Sequence, residues 1–247
     1  MAEDYVTSSK LKYDRQDYDG ALTDLNQAIK LKPNSIDLYV NRGLLKEQKL
    51  NDYNGALDDY NRAAQLKPDA AVVYNNRGLL KENKLCDYSG ALDDYSRAIQ
   101  LNPQTAVVYN NRGLLKESKL CDYSGALDDY SRAIQLNPHT AAAYSDRGLL
   151  KYDKFQDVRG ALADYDYAIQ LDPLYAEAHV LRATLKYDRL NDSPEERLRQ
   201  RDSAISDMKQ AVRLYQQQCN PKMYKLTLTL LNQWQENRDN PNFSIRR

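Results

Sequence analysis

The chain has 247 residues with Lys+Arg and Asp+Glu both at 35, so it lacks the cationic excess that binds nucleic acid or an anionic membrane surface in bulk. The opening MAEDYVTSSK has no apolar leader region, and nowhere do 18 apolar residues run together. No membrane insertion is therefore expected, and a cytoplasmic location follows by default.

Gly20, Gly55, Gly90, Gly125 and Gly160 recur every 35 residues, and Pro33, Pro68, Pro103, Pro138 and Pro173 do the same. A fixed period over most of a chain predicts a stacked array in which each unit packs only on its neighbours. The array is expected over residues 3–214, with units at about 3–33, 36–68, 71–103, 106–138, 141–173 and 174–214. In the third unit, Val73, Tyr74, Arg77 and Gly78 share one face of a helix running from Ala71 to about Leu85. Cys86-Asp87 interrupts it. A second stripe then runs through Tyr88, Ala91, Leu92, Tyr95, Ala98, Ile99 and Leu101 until Asn102-Pro103 ends it. One unit is thus a helix–turn–helix hairpin. Ser35, Thr105 and Thr140 stand where first helices begin and are expected to cap them. The sixth unit is longer, with 43 residues from Ala161 to Ala204, and Ser193-Pro194-Glu195-Glu196 predicts an early start of its second helix. Tyr224, Leu228, Leu231 and Trp234 share a face of a capping helix expected at 221–237, and 238–247 reads as a tail.

Columns of equivalent residues add detail. Gly43, Gly78, Gly113 and Gly148 sit mid-helix, where Gly costs about 1 kcal/mol against Ala, so close approach of the partner helix is expected there. Arg42, Arg77, Arg112, Arg147 and Arg182 face Asp24, Asp59, Asp94, Asp129, Asp164 and Asp207 across the hairpin, which predicts bidentate pairs rather than an anion-binding ladder. Cys86 and Cys121 lie one repeat apart, about 10 Å, beyond disulfide reach, and are expected as reduced thiols. His139 is expected to be solvated, and His179 to pack in place of Tyr39, Tyr74, Tyr109 and Tyr144. Neither has metal-ligand spacing to a Cys or second His, and no phosphate loop, dinucleotide fingerprint or nucleophile elbow is present. No cofactor, metal site or catalytic residue is therefore expected.

An aromatic residue four places before a Gly, then Ala, an aromatic, Ala and a closing Pro together resemble the tetratricopeptide repeat family. The resemblance implies an all-α fold, a right-handed superhelical α-solenoid of about six helix–turn–helix repeats plus the C-terminal capping helix. The family period is usually 34, and the extra residue is expected in the intra-repeat turn, at Cys86 or Asp87 and at Cys121 or Asp122. The first unit keeps 34 through its shorter turn, Asp14 to Tyr18. A period of 35 also suits pentatricopeptide RNA binders, but the closing Pro, the Gly and Ala columns and the zero charge oppose that.

The resemblance also implies a concave groove lined by the first helices, with Asn one place before the Arg column holding a bound peptide's backbone. Asn41, Asn76 and Asn111 match that place, whereas Asp146 and Leu181 depart from it. An amide offers one acceptor and two donors, which suits an extended backbone. Asn75 and Asn110 widen the strip, and Leu79, Leu114, Leu149, Glu82, Glu117 and Tyr152 lie further along it. Lys and Arg that clamp chaperone C-terminal tails are missing from these places, so a basic or apolar partner fits better. The expected function is a non-catalytic scaffold or adaptor that binds a peptide segment or helix of a protein partner. The alternative is a structural, self-assembling protein whose repeats stack end to end.

Overall fold

A computed structural model describes residues 1–187 and 194–239. The expected insertion turn before Pro194 and the end of the expected tail, residues 240–247, lie outside the described residues. The chain divides into two compact units, Met1–Asp129 and the residues from Tyr130 on.

The first unit holds α1 (Ala2–Asp14), α2 (Tyr18–Leu31), α3 (Ile36–Leu45), α4 (Tyr53–Leu66), α5 (Ala71–Leu80), α6 (Tyr88–Leu101) and α7 (Ala106–Ser118). The division falls within α8 (Tyr123–Leu136). The second unit continues with α9 (Ala141–Phe155), α10 (Val158–Leu171), α11 (Ala176–Tyr187), α12 (Pro194–Gln217) and α13 (Pro221–Asp239). Among the described residues there is no strand. Odd-numbered helices up to α11 open each repeat and even-numbered ones close it. The fold is an all-α helical repeat.

The closing helices start on an aspartate. Asp17, Asp52, Asp87, Asp122 and Asp157 each accept from the amide three residues on, at 2.9–3.0 Å. Such a cap contributes about 1 kcal/mol by satisfying a free N–H at the helix start. The residue it bonds is always the periodic Gly. A Cβ built on Gly20, Gly55, Gly90, Gly125 or Gly160 would fall into that carboxylate. The most visible column in the sequence thus makes room for a cap. Ser35, Thr105 and Thr140 do occupy N-cap positions, but their side chains make no capping bond. At Thr105 and Thr140 the cap residue's own carbonyl takes the amide three residues on instead, at 3.1 Å.

The extra residue of the 35-residue period is not Cys86 or Asp87. Both have counterparts in the 34-residue first repeat: Gln16 is left-handed like Cys86 (φ 65° and 55°), and Asp17 caps like Asp87. In the first repeat the Asp17 amide donates to Lys12, five residues back (2.9 Å). Asp52, Asp87, Asp122 and Asp157 donate to a lysine six back, at 2.9–3.0 Å. The residue is therefore absorbed upstream, where Lys46–Leu50 and Lys81–Leu85 widen into π-helical turns.

Candidate functional site

The opening helices present two faces, and the seam face is fully engaged in pairing. Arg42 grips buried Asp59 through Nε and Nη2 (3.1 and 2.5 Å to Oδ1), and Lys46 Nζ reaches the same carboxylate at 2.9 Å. Arg42 Nη1 also donates to Asn26 Oδ1 of the preceding repeat at 2.7 Å. Arg77 repeats the pattern with Asp94 and Asn61, as does Arg112 with Asp129 and Ser96. In the second unit, Arg147 joins Asp164 to Ser131, and Arg182 joins Asp207 to Asp166. The hydrogen bond to Asp94 raises the Arg77 guanidinium further above its ordinary range. Each arginine thereby ties its own closing helix to the previous one, and each buried carboxylate holds two cations. The exception is Asp24, which has Lys12 at 2.8 Å and Ser8 where the other repeats have arginine. Neither the arginine nor the lysine column is left over for an anion.

The glycines of the opening helices face tyrosine rings. A Cβ on Gly43, Gly78 or Gly148 would come within 2.8 Å of Tyr60, Tyr95 or Tyr165. These rings are at most 1% exposed. Tyr60 O–H donates to Glu47 at 2.9 Å and Tyr95 O–H to Glu82 at 2.7 Å. Glu82, expected in the groove, thus completes a buried tyrosine. Burial pushes the Glu47 carboxyl above its usual range.

The other expected groove residues divide between the units. In the first, Asn111 Nδ2 donates to Asn75 Oδ1 at 3.1 Å, joining α7 to α5, and Asn76 Oδ1 lies 3.5 Å from Asn75 Nδ2. Asn110, Leu79 and Glu117 are half-buried, and Leu114 is exposed. Val72 and Val107, at 56% and 59%, are the most exposed large apolar side chains on these helices. With Asn75 they border a depression of about 250 Å³. Sequence reasoning passed over both valines, although each replaces a polar or small residue (Asp37, Ala142, Glu177) in its column. Asn41 lies apart from these amides, on a cleft described below. In the second unit Leu149 is exposed, Asp146 is half-buried, and Tyr152 packs beside Tyr165 and Leu185.

His179 stands as a packing substitute. Its Nε2 lies 3.1 Å from the Pro173 carbonyl, the bond that the Tyr39 and Tyr144 hydroxyls donate to Pro33 and Pro138 at 3.1 and 3.3 Å. Cys86, Cys121 and Cys219 are free and exposed. Among the described residues, no helix is long and apolar enough to cross a membrane.

A second place stands out in the first unit. A cleft of about 310 Å³ opens between α1, α2 and α3, with Val6, Tyr13, Leu25 and Leu44 on its walls and Asn41 and Gln48 at its rim. It coincides with two departures from the columns: Leu25 stands where the second to fifth repeats have tyrosine, and Ser9 where they have Gly.

A family model for the TPR repeat (tetratricopeptide repeat) matches residues 10–49 and 46–84. No curated protein is a significant match in sequence. Among solved structures, pilF of Pseudomonas aeruginosa is similar at 21% identity, covering 93% of this chain and 97% of that one, with a TM-score of 0.71. YrrB, described as a TPR protein with an unusual peptide-binding site, is 21% identical over 84% of this chain and 97% of its own, with a TM-score of 0.61. MamA is 23% identical, covering 68% of this chain and 96% of its own, with a TM-score of 0.61. At these identities the likeness concerns the fold. The chain thus carries tetratricopeptide repeats within residues 10–84 and is similar in fold, over most of its length, to proteins built of such repeats.

Proposed function

We propose that the chain is a non-catalytic scaffold that binds a peptide segment or helix of a partner protein in a groove lined by its opening helices. Repeats of this family generally mediate protein–protein interaction. The observation that carries the reading is the division of labour on those helices. Every seam arginine and its neighbouring lysine is held by a buried aspartate. What remains toward the groove is amide and apolar chemistry: Asn75, Asn76, Asn110 and Asn111 with Leu79, Leu114, Val72 and Val107. Amides match the alternating N–H and C=O groups of an extended segment, and the leucines and valines bury its side chains. The Asn75–Asn111 bond holds the amides in register before a partner arrives, which lowers the ordering cost of binding. Asn41, in the same column as Asn76 and Asn111, offers a separate amide at the cleft of the first unit, while Asp146, Leu149 and Tyr152 are the groove candidates of the second. With the seam cations already paired, this surface favours basic or apolar over acidic partner side chains.

The test is affinity purification from the native cell with the parent chain and the Asn76→Ala/Asn111→Ala variant. Loss of captured proteins by the variant, with its helix content unchanged, is the expected result. Equal capture by both chains would remove the groove from the function.

A further inference from the structure

The cleft in the first repeat has a filled counterpart inside the same chain. Counting by repeat, Val6, Ser9, Tyr13, Ala21 and Leu25 correspond to Val180, Ala183, Tyr187, Ala204 and Met208 of the sixth repeat. In the sixth repeat these residues join one apolar cluster with the indole of Trp234, delivered by α13. That indole stacks on Tyr187 with centroids 4.0 Å apart and rings 5° from parallel, and Trp234 is only 5% exposed. In the first repeat α3 and the π-helical turn after it lie alongside in place of α13, and bring Asn41, Leu44 and Gln48 but no aromatic ring. The space stays open. Even the cation beside the tyrosine recurs: Lys49 stands 5.4 Å from the Tyr13 ring and Arg201 5.4 Å from the Tyr187 ring.

In the second, third and fifth repeats a buried tyrosine ring packed on a glycine occupies the equivalent position. The two residues are linked by sterics. The ring approaches so closely that a Cβ at Gly43 or Gly78 would lie 2.8 Å from it. Where a Cβ is present, as in Ser9 and Ala183, the ring is replaced by Leu25 and Met208. Both end repeats therefore vacate the same volume, and only one refills it from within.

We infer that the cleft between α1, α2 and α3 receives a tryptophan-like aromatic side chain from the partner segment, stacked on Tyr13 as Trp234 stacks on Tyr187. This rests on the proposed groove and names the anchor of its ligand. A flat ring buries a large apolar area at low entropic cost and is the side chain type that dominates binding at well-enclosed sites. Asn41, which lines the cleft, then meets the backbone beside the anchor with an amide of its own.

The experiment is selection of a phage-displayed random dodecapeptide library on the full chain, followed by titration of the enriched peptides. Peptides carrying Trp or Phe are expected, bound at least about tenfold more weakly by Ser9→Gly/Leu25→Tyr, which restores the filled pairing of the regular repeats. Leu25→Met, which copies the sixth repeat, should retain them. Circular dichroism separates a filled cleft from an unfolded repeat. If the double variant does not fold, Tyr13→Leu keeps the apolar bulk and removes the stacking ring, and should weaken binding similarly. Enriched peptides without an aromatic residue, or binding unchanged in the cleft variants, would overturn the inference. Continued weakening by Asn76→Ala/Asn111→Ala would then leave the groove reading standing. No enrichment, or no loss with any of these variants, counts against both.

Discussion

The first and sixth repeats solve one packing problem in two ways. Each carries a Cβ where the regular repeats have glycine, so neither can hold the seam tyrosine. The sixth fills the vacated volume with Trp234, and the first leaves a cleft beside Leu25 and Tyr13. Their charges differ as well. Asp207 holds Arg182 and Lys186, whereas Asp24 holds Lys12 alone of the two seam cations. A repeat that departs from its columns is thus not weak as such. What matters is whether another element supplies the missing volume and charge.

The strongest way to break the comparison is to empty the filled pocket. Trp234→Ala should cost about 3–5 kcal/mol, because the deleted ring leaves a cavity beside Tyr187 and Met208. Denaturant unfolding should show the loss, and hydrogen exchange should place it in α11–α13. Loss of protection confined to α1–α3 would contradict the equivalence of the two pockets.

A smaller effect tests the steric link between glycine and ring. Gly78→Ala improves helix propensity by about 1 kcal/mol, yet its Cβ meets a Tyr95 ring that is fully buried and anchored on Glu82. A net destabilisation of about 1–3 kcal/mol is expected. Ser9→Ala, in a repeat without the ring, should change stability by less than about 1 kcal/mol. Thermal melts of the two variants give the contrast, and a stabilised Gly78→Ala would show that the tyrosine can move aside.

The mildest perturbation is pH. Burial, reinforced by Glu47 and Glu82, raises the Tyr60 and Tyr95 phenols above the ordinary tyrosine range, and burial does the same for Tyr165. A raised folded pKa favours the protonated form in the fold. The stability it contributes is complete below the unfolded value of about 10 and is lost as pH climbs from there toward the folded values. The first and sixth repeats have Leu25 and Met208 in this column and lack the contribution. Alkaline titration should therefore open the regular repeats, with phenolate absorbance rising together with the loss of ellipticity. Phenolate formation from Tyr60 and Tyr95 in a fully helical chain near pH 10 would contradict their burial.

The Arg–Asp pairing could be read from the sequence because both columns recur in register and a helical wheel turns them to one seam. Its lysine partner and the polar residue of the preceding helix were missed, since each is one ordinary surface residue until a buried carboxylate is found beside it. Glu82 was assigned to the groove for a related reason. A helical wheel gives direction but not the reach of Tyr95 O–H from the facing helix. The cleft did leave a signal in the departures at Ser9 and Leu25. It goes unread until the meaning of the Gly–Tyr pairing is known.

The sequence by itself determined the period, the two helices of each repeat and the residue types of the seam. These depend on local spacing, which identical neighbours repeat and so make conspicuous. Only the tertiary structure decided where the thirty-fifth residue goes, because a π-turn differs from a loop insertion in its backbone hydrogen bonds and not in its residues. Likewise only the tertiary structure decided which vacated pocket is filled. That outcome turns on a third helix: α13 brings Trp234 to Tyr187, and α3 brings only aliphatic and amide side chains to Tyr13.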